Sequence, residues 1–189
     1  GKLIWTPIRS DTQRLTIGAA LDRTENIRDR SFNLITAIGA KPLGGVPATG
    51  TKSTGEADIA YTFPVAGHAA TLEAEVIYSR FSGSRSDVAG GYVQGQFSLF
   101  DLPDAGDLDL FARYDVVSLG IDEVRGRAHQ SAVRTGVNYN IPHTNKLVNL
   151  HVEYAHNSIR GPALIVTDSR APDEFRLELR ASLQRYLRH

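Results

Sequence analysis

The sequence predicts an all-β protein, specifically an antiparallel transmembrane β-barrel with about ten strands visible along the chain. Three observations carry that expectation. The first is the stretch from Glu174 to Arg188, where Phe175, Leu177, Leu179, Ala181 and Leu183 alternate with Arg176, Glu178, Arg180, Ser182 and Gln184. Successive strand side chains point to opposite faces, so one face is apolar and the other charged. In a helix, at about 100° per residue, Arg176 and Arg180 would fall among the leucines. The second is length, since such runs last about nine to twelve residues where soluble strands last five or six. The third is rhythm: short turns alternate with longer polar links, as they do between the two rims of an outer-membrane barrel.

The elements follow in order. Lys2 to Ile8 reads as a strand broken near Pro7 and followed by the polar turn Arg9 to Gln13. Leu15, Ile17, Ala19 and Leu21 make the apolar face of a second strand, and the charged run Asp22 to Arg30 reads as a solvated loop. A third strand is expected over Phe32 to Ile38, then an irregular segment over Lys41 to Gly55, rich in glycine and proline. Ala57 to Phe63 and Leu72 to Tyr78 form a hairpin around the short link Pro64 to His68. Gly91 to Leu99 and Leu108 to Val116 form another around Asp101 to Asp107. Val133 to Tyr139 and Val148 to Tyr154 flank the short link Pro142 to Asn145, and a long link over Asn157 to Asp173 precedes the final strand. The short turn at Arg9 to Gln13 falls out of phase with the later short links, so either residues 40–56 hide an extra weak strand or the charged run 22–30 lies on the short-turn side, and the hidden strand is the favoured reading.

Composition sets limits. The 21 basic and 21 acidic residues cancel, so net charge offers no reason to expect nucleic acid as a partner. With no cysteine the chain has no disulfide, thiolate nucleophile, thiolate zinc site or haem attached through cysteine. No window holds about 18 uncharged apolar residues, so a helical span is not expected. Gly44-Gly45 and Gly90-Gly91 lack the Lys-Ser/Thr of a phosphate loop. The chain begins at Gly1 and contains no methionine, which reads as a processed or truncated product.

Several segments resemble the phosphate-selective porin O and P family. They are Leu3-Ile-Trp-Thr-Pro-Ile8 with Leu15-Thr-Ile-Gly-Ala19, the hairpin Ala57 to Tyr78, Leu110-Phe-Ala-Arg-Tyr-Asp115, Arg134-Thr-Gly-Val-Asn-Tyr139, Val148-Asn-Leu-His-Val-Glu-Tyr154 and Phe175-Arg-Leu-Glu-Leu-Arg180. The resemblance implies that residues 1–189 are a single β-barrel domain or the C-terminal portion of a larger barrel of about 16 strands. It further implies a bacterial cell outer-membrane location, a homotrimer or larger membrane complex, and a water-filled channel for passive diffusion of small ions and solutes, anions such as phosphate among them.

The residues themselves point to the channel wall. The polar faces carry Arg14, Arg113, Arg134, Arg176 and Arg180 as anion-attracting candidates, with the acids Glu73, Glu75, Asp109, Asp115, Glu153 and Glu178 on the same wall. Those signs nearly balance, so cross-strand pairing and a transverse field with mild selectivity are both expected. His151 and Glu153 share a face, but two ligands without a third do not make a metal site, and no cofactor is expected. Tyr61, Tyr78, Tyr114, Tyr139 and Tyr154 sit near the ends of apolar runs, where interfacial aromatics stand. No nucleophile, base and carboxylate set is recognisable, so an enzyme is not expected. Two alternatives stay open: a soluble β-sandwich or lipocalin-like binder, and a barrel sheathing a partner such as a cytochrome in an outer-membrane conduit.

Overall fold

The computed structural model describes residues 1–34, 43–102, 106–121, 127–144, 148–161 and 173–181. They form nine strands: β1 (Lys2–Arg9), β2 (Arg14–Leu34), β3 (Leu43–Val65), β4 (His68–Phe81), β5 (Ser86–Leu102), β6 (Gly106–Ile121), β7 (Arg127–Asn140), β8 (Val148–Arg160) and β9 (Glu174–Ala181). Each pairs antiparallel with the next in a single sheet of order β1 to β9. Among the described residues β1 and β9 are the two edges, and an even number of reversals separates them, so they run in the same direction.

The alternating runs explain why these segments are strands, and the registers show that their faces agree. Leu15, Tyr61, Leu72, Gly95, Ala112, Thr135, Tyr154 and Phe175 stand opposite one another across eight strands. On the other face Ala60, Glu73, Gln94, Arg113, Arg134, Ala155 and Glu174 form a similar row.

Burial is inverted relative to a soluble sheet. The apolar face is open, with Leu21 75 % exposed, Leu3 72 % and Leu179 69 %. Phe81, Leu119, Ala128, Ala155, His151 and Glu153 are buried, and all lie on the polar face. No helix or second sheet among the described residues covers that face. Its burial therefore comes from the sheet bowing over itself, polar face concave and apolar face convex.

Two stretches expected to be irregular are strands. The charged run Asp22 to Arg30 is not a loop: it continues β2, paired through Asp22–Thr54, Arg23–Ser53 and Thr24–Lys52. The irregular segment continues β3, with Phe32 opposite Val46 and Arg30 opposite Ala48. So residues 32–34 end β2 rather than forming a separate strand, while residues 35–38 lie outside the described residues. Residues 43–56 are a strand, but the same one as Ala57 to Phe63 and not an extra one. The phase conflict disappears with it, because the links after β1, β3, β5 and β7 all fall at one end of the sheet. The physical reason is a run of three register shifts, at Thr24/Ile27, Ile27/Arg30 and Phe32/Leu34, which erase period-two alternation without ending the pairing. The continuation of the final strand over residues 182–188 also lies outside the described residues.

Turn chemistry fits the hairpins. Val65 opposes His68 around Ala66 and Gly67, both with positive φ, as a two-residue hairpin turn of type I′ requires. Gly50, at φ 85°, faces the backbone of Gly83 in the β4–β5 turn, where a Cβ has no room. That closeness lets Gly83 and Ser84 donate backbone hydrogen bonds to Thr49.

The edge of the apolar band follows one row across β2 to β4, Leu21–Gly55–Tyr78, and from β4 to β9 crosses the strands obliquely. On β4 it ends at Tyr78, followed on the same face by Arg80; on β8 it ends at Tyr154, followed by His156. On β9 it ends at Phe175, with Asp173 beyond. Phe175 is in register not with Tyr78 but with Leu72.

Candidate functional site: a charge network on the concave face

Most of the charged residues singled out in the sequence converge on β6 to β9. Asp115 on β6 accepts from Arg113 Nε at 2.7 Å, two residues back on its own strand, and from Arg134 Nε on β7 at 2.9 Å. Arg134 also gives Nη1 to Glu153 of β8 at 2.8 Å, so one guanidinium joins two carboxylates on different strands. On β9 Glu178 lies between Arg180, at 2.7 Å, and Arg176, at 3.4 Å. Cross-strand neighbours of opposite sign are favourable on a sheet, and a forked guanidinium can serve two acceptors at once.

All of these groups except Glu178 line a concavity of about 440 Å³, together with Gln94, Phe111 and His151. Its floor includes residues that alternation alone did not mark. Phe111 sits on the polar side of β6 and stacks on His151, ring centroids 5.4 Å apart. His151 Nδ1 lies 2.6 Å from Asn138 Oδ1, and its Nε2 faces Glu153 at 3.5 Å. The Arg113 guanidinium lies over the Tyr92 ring at 3.7 Å, a cation–π contact that orients it toward β5. The signal for Phe111 was present in the sequence as an aromatic out of phase with its strand, between Leu110 and Ala112.

Other candidates stand elsewhere. Asp109 shares the face but is held by Gln96, at 3.0 Å, and by the Ser98 hydroxyl rather than by an arginine. Glu73 and Glu75 lie on the same face of β4, opposite Gln94 and Tyr92, and Arg14 lies on that face of β2. Asp58 and Glu56 of β3 join them there, both reached by Lys2 at 3.1 and 3.3 Å. The concave face is therefore sorted: carboxylates dominate β3 and β4, and arginines with matched acids dominate β6 to β9. Among the described residues no group of three or more His, Cys, Asp or Glu side chains is placed to hold a metal ion.

On the convex face, beyond the band, Asp173 accepts from Tyr154 Oη at 2.9 Å and contacts His156 Nδ1 at 2.7 Å. The hydrogen bond from His156, and next that from Tyr154, hold its carboxyl below the ordinary value of 3.8.

Fold and site together define a class: an all-antiparallel β-meander with an apolar convex face and a charged concave face. No family model, curated protein or solved structure matches the chain.

Proposed function

We propose that this chain forms wall of an outer-membrane β-barrel whose concave face lines a water-filled channel, through which small ions and solutes diffuse passively. The observation that carries this reading is the slope of the apolar band. Between β4 and β9 its edge drops by about six residues, ~20 Å at 3.3 Å each, while the sheet advances five strand spacings, ~24 Å. The slope is about 40°, which matches the tilt of barrel strands from the membrane normal. A soluble sandwich has no reason to cut its exposed residues along such a line, and it would bury the apolar face instead.

Phosphate and other anions are candidate solutes because Arg113, Arg134, Arg176 and Arg180 share one stretch of the wall, although their matched acids leave only mild net selectivity there. A bacterial outer-membrane location and a homotrimeric or larger assembly belong to the same reading. Conductance tests it. In planar bilayers the inserted protein should give steady ion-conducting steps. Replacing Arg134, Arg176 and Arg180 together with Gln should move the reversal potential toward cations. The shift should be largest at 0.01 M salt, where the Debye length is about 30 Å. Correct insertion without conductance would sink the channel reading and point to a plugged or partner-filled barrel.

A further inference from the structure

On the convex face, an apolar groove and a basic pocket lie directly end to end. The groove, about 1050 Å³, is floored by Gly55, Ala57 and Ala89 and walled by Leu3, Leu21 and Tyr78. Its upper end is the row Leu21–Gly55–Tyr78. One row further along the same face, about 7 Å away at the rise of a strand, stands Arg23–Ser53–Arg80. With Arg85 and Ser82 these residues line a second concavity of about 650 Å³. Of the carboxylates near it, Asp87, opposite Arg80, is held by Arg127 at 2.8 Å, and Glu25 makes only a solvent-exposed pair with Arg23 at 3.3 Å, which a phosphate on Arg23 would compete with.

From this juxtaposition we propose a lipid site: an acyl chain fills the groove, and the phosphate of an anionic lipid headgroup sits among Arg23, Arg80 and Arg85. The inference rests on the membrane reading above and names one partner within it. The chemistry is complementary at both ends. Gly55 leaves a dent, since a Cβ there would touch only Leu21 Cδ2, at 3.6 Å. A flexible chain fills such a dent better than water does. Arginine is the residue suited to phosphate oxygens, through its fork of donors, and Ser53 and Ser82 add hydroxyls. Guanidinium groups just beyond an apolar band stand at headgroup depth, where basic side chains attract anionic lipid.

The test is native mass spectrometry of the full chain released from nanodiscs of phosphatidylcholine containing phosphatidylglycerol. The wild-type protein should retain phosphatidylglycerol in preference to phosphatidylcholine. Arg23→Gln with Arg80→Gln should cut that retention by about thirtyfold, at roughly a factor of five per charge. Gly55→Leu, which fills the groove and leaves the arginines in place, should reduce retention of both lipids. Arg80→Lys should keep most of it. Equal retention by wild type and the double variant, both inserted and conducting, would overturn the lipid site and leave the channel reading intact. Unchanged retention by Gly55→Leu, or inorganic phosphate bound as tightly as the lipid, would overturn it as well. A chain that fails to enter nanodiscs would overturn both.

Discussion

Arg134 shows how much one side chain can organise on a bowed sheet. Its guanidinium spans from β6 to β8, and without it Asp115 and Glu153, on opposite sides of β7, would lose the cation they share. Alternation has an equally local consequence at the far edge. Leu179 is 69 % exposed on the convex face, and its neighbour Arg180 lies on the other. If the convex face meets lipid, Leu179→Arg should cost about 2–4 kcal/mol near the bilayer midplane, and Arg180→Leu should lose clearly less. Urea titrations of refolding into liposomes measure both, and equal losses would count against a membrane wall. Asp173 supplies a pH test. Its carboxyl is held below its unfolded value, so its contribution is present above about pH 4 and disappears as pH falls through the lowered folded value. Wild type should therefore be more stable than Asp173→Asn near neutral pH, and the two should converge in acid. A difference that persists unchanged to low pH would show that the carboxylate is not its source.

At the scale of elements, the extended β2–β3 hairpin depends on a close approach rather than on burial. Gly50 has positive φ and lies against Gly83, whose amide is bonded to Thr49. Gly50→Ala should impose about 1–2 kcal/mol of backbone strain and push the β4–β5 turn away. Hydrogen exchange at Gly83 and Ser84 should then accelerate while protection in β7 and β8 stays unchanged; uniform loss of protection would contradict a local effect. This hairpin is also where the sequence was hardest to read. Leu72 to Tyr78, Leu108 to Val116 and Val148 to Tyr154 announce themselves because one face is continuously apolar. From Asp22 to Arg30 neither face needs to be, and bulges shift the register twice, with a third shift just beyond at Phe32/Leu34, so neither periodicity nor burial marks the strand. The charge network was legible in part. Arg113, Arg134, Asp115 and Glu153 fall on polar phases, but their meeting depends on cross-strand register. Phe111 broke phase, and its stack on His151 appears only once β6, β7 and β8 are aligned.

At the scale of the whole molecule, the parallel direction of β1 and β9 bears on closure. A barrel in which every neighbour is antiparallel needs an even number of strands. The nine strands of the described residues cannot meet edge to edge in that way, so a closed wall would need an odd number of further strands between β9 and β1. Both edges are fit to accept one, since the apolar face continues onto Leu3 and Trp5 of β1 and onto Leu177 and Leu179 of β9. The central claim is that these two faces meet different solvents, lipid on the convex side and water on the concave side. Spin-label accessibility tests it most directly, because the chain has no cysteine and single cysteines can be placed at will. In liposomes, labels at positions 148 to 154 and 174 to 181 should alternate with period two. Oxygen collisions should peak at positions 150, 152, 154, 175, 177 and 179, and water-soluble nickel collisions at positions 151, 153, 176, 178 and 180. In-phase profiles, or oxygen maxima at the arginine positions, would contradict the account.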